Sequence, residues 1–172
     1  MKTSIVFTFI GADKPGLIEK LSNTVSEQGG NWLESRMSQL AGHFAGITRV
    51  QISSDRADNL RTALEAISSA ELNISIQPDN ANENHIDCKH WVLSLIGNDH
   101  PGIVRELTSA LAARNINVCV MNTNVTSAPM TAQPLFEATA DIQVPTSLDM
   151  DELTDKLDEI ADDLAIDINL QS

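Results

Sequence analysis

Basic side chains are scarce in this sequence, and aromatic ones scarcer still. The 172 residues carry 11 Lys and Arg against 24 Asp and Glu, a net charge of −13. A surface of that sign repels phosphate backbones, whereas nucleic-acid binders carry a basic patch. Six aromatic residues, none of them Tyr, leave little on which bases could stack. Direct nucleic-acid binding is therefore excluded from the expected functions. Two cysteines, Cys88 and Cys119, are too few for a disulfide framework and fit a reducing compartment. No run approaches the roughly 18 to 20 apolar residues of a membrane span. Met1 to Ile5 leads at once into an alternating pattern, without a signal-peptide core. A cytoplasmic protein without a membrane partner is expected.

What the sequence does contain is a repeat. Ile10-Gly-Ala-Asp-Lys-Pro-Gly-Leu-Ile18 returns as Ile96-Gly-Asn-Asp-His-Pro-Gly-Ile-Val104, and at the same offset Leu21 falls on Leu107 and Asn31 on Asn117. The preceding apolar runs also match in kind, Ile5 to Phe9 against Trp91 to Leu95. Two such loops in frame indicate a duplicated unit.

Each half reads alike. Thr3 to Ile10 is short, apolar-rich and followed by Gly11, a buried-strand signal. A helix is expected from about Pro15 to Gln28, with Leu17, Ile18, Leu21 and Val25 as its apolar stripe. Gly29-Gly30 stops it. Runs 31–40 and 43–52 meet at Ala41-Gly42, which is hairpin chemistry. A helix over about 56–69 and a strand over 72–76 complete βαββαβ. The second half gives strand 89–96, helix 101–114, strands 116–126 and 134–144, helix 150–164 and strand 165–170. Asp149 and Glu152 have capping-box spacing. A longer loop at 127–133 has no counterpart in the first half. The expected fold class is α+β: two ferredoxin-like βαββαβ units in tandem, antiparallel sheets with helices on one face. Their bounds are 1–78 and 89–172, with the polar, Asn-rich stretch 79–88 as a linker.

The pattern Gly-x-Asp-x-Pro-Gly-(Leu/Ile)-(Ile/Val) between first strand and first helix, with Asn opening the second strand, resembles the ACT domain. Two such modules filling nearly the whole chain resemble the glycine cleavage system transcriptional repressor family. The resemblance implies a regulatory protein that binds a small amino acid, glycine or serine first. The residues it implies are Asp13, Lys14, Pro15, Gly16, Leu17 and Asn31, with Asp99, His100, Pro101, Gly102, Ile103 and Asn117. In related ACT domains the ligand lies between one module's loop and its neighbour's second strand, which would join Asp13 to Asn117 and Asp99 to Asn31. Serine-binding ACT pairs often carry Asn at the Asp13 position and His at the Gly11 position. Both differ here.

The chemistry of the loop points the same way. Gly11 and Gly97 suit tight turns, and Gly16 and Gly102 let backbone approach a ligand. A helix start offers unpaired N–H groups to a carboxylate. Asp13 or Asp99 would take the ammonium, and the Asn31 or Asn117 amide could complete the clamp. Asp, Pro and Gly at such a turn are also ordinary capping and turn residues.

Other clusters carry less. His85-Ile-Asp-Cys88-Lys-His90 has zinc-type ligands but no second cluster at recognisable spacing, so no metal or cofactor is expected. Cys119, in an apolar stretch, reads as a core thiol. No nucleophile, base and orienting group fall together, so an enzyme is not expected. Residues 149–167 hold nine acids and one base, Lys156. With Leu153, Leu157, Ile160 and Leu164 inward, the acids form a solvated outer face, or a docking surface for a basic partner such as a DNA-binding transcriptional regulator. The alternative to a sensor is a ligand-free adaptor whose edge strands mediate homodimerisation.

Overall fold

The structure is a computed structural model that describes residues 1–78, 87–128 and 132–171. The chain divides into two units, Met1–Asn82 and Glu83–Ser172. The first runs β1 (Lys2–Ala12), α1 (Leu17–Glu27), β2 (Asn31–Leu40), β3 (His43–Ser53), a 3-10 turn (Ser54–Arg56), α2 (Ala57–Ile67) and β4 (Leu72–Pro78). The second runs β5 (Cys88–Asn98), α3 (Ile103–Ala112), β6 (Asn117–Ser127), β7 (Pro134–Pro145), α4 (Met150–Leu164) and β8 (Ile166–Gln171). Each forms a four-stranded antiparallel sheet, in order β2-β3-β1-β4 and β6-β7-β5-β8. The βαββαβ pattern thus occurs twice, as the sequence led us to expect.

Each sheet buries one face under its helices. In the first unit Ile5, Phe7 and Phe9 of β1 alternate inward and meet Val50 of β3, Leu21 and Val25 of α1 and Leu60 and Leu64 of α2. In the second, Leu93 and Leu95 meet Leu107, Leu111, Leu153 and Leu157. Burying one such Leu side chain stabilises the fold by about 1.5 to 3 kcal/mol, so these period-2 and period-3.6 stripes outweigh the local propensities.

Several boundaries and placements differ from the sequence reading. Both first helices begin two residues later than expected, because each motif Pro lies in a turn and the following Gly is left-handed, φ 89° at Gly16 and 112° at Gly102. Ile18 stands outside the α1 stripe, 37% exposed. Thr24 takes the inward position, its hydroxyl donating to the Lys20 carbonyl at 2.9 Å. Cys119 is not a core thiol: it is exposed, at a bulge between Val118 and Val120. The extra residue there breaks the strand's alternation. A matching bulge leaves Leu33 43% exposed on β2. Cys88 already belongs to β5, and residues 79–86 of the expected linker, His85 among them, lie outside the described residues, as do residues 129–131 of the 127–133 loop.

Candidate functional site

The repeated loop occupies the same place in both units. β1 ends at Ala12 opposite His43, and β5 ends at Asn98 opposite Leu135. The next residue is then pinned by its backbone: Asp13 N–H donates to the Gly42 carbonyl at 2.9 Å, and Asp99 N–H to the Pro134 carbonyl at 3.0 Å. Pro15 and Pro101 are exposed in the turn that follows, and Gly16 and Gly102 are the N-caps of α1 and α3. Neither cap has a side-chain hydrogen bond. Asp13 and Asp99 are therefore not the caps of these helices. Both are exposed, and neither carboxylate has a hydrogen-bond or ion-pair partner among the described residues. A Cβ at Gly16 or Gly102 would meet nothing within 4 Å, so the glycine requirement lies in the left-handed backbone and not in crowding.

Gly11 and Gly97 have a different role from the tight turns expected of them. Both lie inside strands, paired with Phe44 and Leu72 and with Phe136 and Ile166. A Cβ on Gly11 would stand 2.7 Å from the Glu71 carbonyl oxygen, and one on Gly97 2.9 Å from Ile166 Cα. These glycines let the entry of the last strand cross close beneath the loop.

The second loop position is tied to that same corner by different chemistry. Lys14 Nζ pairs with Glu71 Oε2 at 3.0 Å, both side chains exposed. His100 Nε2 lies 3.0 Å from the Leu164 carbonyl oxygen, and Nδ1 is 3.3 Å from the Pro101 carbonyl. No feature of the spacing signalled either tie. Leu17 packs half-buried against the first core, and Ile103 is 2% exposed within the second. Of Ile103, the backbone alone remains for a ligand.

The structure does not bring the Asn residues to the loop of their own unit. Asn31 pairs with Gln51, itself opposite Ser4, while the loop follows Ala12. At the usual rise per residue, Ser4 and Ala12 are about 26 Å apart along β1. Asn117 is likewise opposite Gln143, which faces His90, at the far end of β5 from Asn98. Its amide donates to Gln143 Oε1 at 3.3 Å and contacts Cys119 Sγ at 3.7 Å.

The model of the ACT domain family matches residues 3–77. An unknown protein from Galdieria sulphuraria superposes with a TM-score of 0.89 at 26% identity, over 99% of this chain and 98% of that one. A candidate glycine cleavage system transcriptional repressor superposes with a TM-score of 0.73 at 16% identity, over 99% and 97%. At that identity the likeness is one of fold. No curated protein sequence matches the chain. Residues 3–77, nearly all of the first unit, thus match the ACT domain family, and the second unit repeats the strand order, bulge and loop of the first.

Proposed function

We propose that this protein is an amino-acid-sensing regulator, of the glycine cleavage repressor kind, that acts through a protein partner and not by binding DNA. The observation that carries the reading is the loop built twice: an aspartate fixed by its backbone N–H, its carboxylate unpartnered, next to a helix start that no side chain caps. The carboxylate of a small amino acid suits the free N–H groups of that first turn. Its ammonium suits Asp13 or Asp99. Lys14, Pro15 and Gly16, with the Leu17 backbone, and His100, Pro101 and Gly102, with the Ile103 backbone, shape the two loops. Asn31 and Asn117 would complete a clamp only with a loop other than that of their own sheet.

The charge of −13 supports a protein partner over a nucleic acid. The acids along α4 would face a basic surface on a DNA-binding regulator, speeding encounter in a salt-dependent way. Ligand would modulate that partner only as far as it binds two states of the protein unequally.

Calorimetric titration with glycine, then serine, tests the reading. Saturable heat is expected, with affinity about tenfold weaker in Asp13→Ala or Asp99→Ala. Flat traces across an amino-acid panel would overturn the sensor and leave the ligand-free adaptor.

A further inference from the structure

The second unit holds a cavity of about 400 Å³ between α3 and α4, with none of residues 99–102 of the loop in its lining, within the usual range of small-molecule sites. The helices run antiparallel there. Arg114, just beyond α3, reaches Glu152 near the start of α4, while His100, before α3, reaches Leu164 at the other end. One end of the groove carries Arg114 and Lys156, which also pair with Glu152 at 3.4 Å and Glu159 at 2.6 Å, and the other carries Asp163 and Glu106, the latter paired with Arg105 at 2.6 Å. Ala110, Ala113 and Ile160 line the middle.

Arg114 is under-used by the protein itself. Its side chain is 16% exposed. Its Nε is buried without a hydrogen-bond partner, and Nη1 and Nη2 make bonds of 3.4 Å to the Ala110 carbonyl and Glu152 Oε1. Bonds of that length lie beyond the usual range, so Arg114, which lines the groove, keeps donor capacity at Nη1 and Nη2, while Nε is closed to solvent and to a ligand alike. The first unit lacks this arrangement. Gly29 and Asn115, both left-handed, mark equivalent points, so Gln28 stands where Arg114 does. Leu60, Leu64 and Ile67 match Leu153, Leu157 and Ile160 in spacing, which sets Ala63 at the place of Lys156.

We propose that this groove is a second ligand site, for a zwitterion with well-separated charges: a tripeptide-sized molecule with its carboxylate at Arg114 and Lys156 and its ammonium at Glu106 and Asp163. A net anion is disfavoured by the acids that crowd α4, whereas a zwitterion brings no net charge. Lys156 and Asp163 are about 10 Å apart along the helix, which is the span of roughly three extended residues. A free α-amino acid is too short to reach both ends.

The test is titration of the full chain with trialanine, its N-acetyl form and its C-terminal amide. Saturable binding of trialanine is expected, about tenfold or more weaker for either blocked form and for Arg114→Gln. Gln already occupies this position in the first unit, and Lys156→Ala, at a more exposed site, gives a second variant with the same expected loss. Asp13→Ala and Asp99→Ala should leave this binding unchanged, which separates it from the loop. Absence of saturable heat to about 10 mM, equal binding of the blocked peptides, equal binding by both groove variants, or loss in the loop variants would each overturn the proposal.

Discussion

His100 and Leu164 join the loop of the second unit to the end of its last helix, imidazole Nε2 to carbonyl oxygen at 3.0 Å. Because a carbonyl only accepts, this contact is a hydrogen bond in the forms of the ring that carry a proton on Nε2. The contact satisfies one of the final carbonyls of α4, which have no partner within the helix. His100→Ala is expected to destabilise the second unit by about 1 kcal/mol, read as a lower urea midpoint. The corresponding Lys14→Ala removes an exposed ion pair and should leave the midpoint unchanged within error.

Gly97→Ala and Gly16→Ala separate two reasons for glycine. At Gly97 the added methyl meets Ile166, at 2.7 Å from Cβ and 2.9 Å from Cα. Strand β8 must shift, at an expected cost of about 1 to 3 kcal/mol. At Gly16 there is open space but φ is 89°, so the cost is about 1 to 2 kcal/mol of backbone strain. Ile166→Ala should cost less in the Gly97→Ala background than alone, because it removes Cγ2, the atom nearest the added methyl, whereas no neighbouring truncation should couple to Gly16→Ala in thermal melts.

The start of α4 tests the capping box suggested by Asp149 and Glu152. Asp149 is the N-cap and accepts from the Asp151 N–H at 2.9 Å, but Glu152 turns to Arg114 at 3.4 Å. Asp149→Ala should cost about 1 kcal/mol in denaturant titrations. Glu152→Ala should cost less, because it removes an acid that closes no box.

Glu159 supplies a pH test. Its hydrogen bond from Lys156, reinforced by the charge of that side chain, holds its pKa below the ordinary glutamate value. A depressed folded-state pKa means the pair's stabilisation is present above the unfolded pKa and fades as pH falls through the lowered one. Lys156→Ala should return the Glu159 carboxyl titration, followed by NMR, towards the ordinary value. An unchanged titration would show that the Lys156–Glu159 pair does not persist in solution.

Periodicity made most of this fold readable, because Ile5, Phe7 and Phe9 or Leu153, Leu157 and Ile160 record which face is buried. The hairpin at Ala41-Gly42 was equally legible, since φ values of 49° and 79° there answer to its turn chemistry. The bulges were not legible. Nothing in Ile116 to Val120 says that Cys119 falls outside the ladder, because a bulge is set by how two strands twist together. For the loops, the Asp, Pro and Gly spacing located the turn, but the reach of Lys14 to Glu71 and of His100 to Leu164 depends on where the second helix of each unit ends. The groove beside Arg114 escaped notice for a similar reason: its cations and acids come from two helices separated by the whole of β6 and β7.

The bond from Asp13 N–H to the Gly42 carbonyl gives the first loop a mechanical neighbour. Gly42 sits at the tip of the β2–β3 hairpin, and β2 is the outermost strand of its sheet on that side. A molecule that pulled the loop towards itself would tug on the hairpin tip through a single amide. Occupancy would then be felt beyond the loop itself, in the carbonyl shift of Gly42 at the hairpin tip, together with a change in the exchange rate of the Asp13 amide that bonds it.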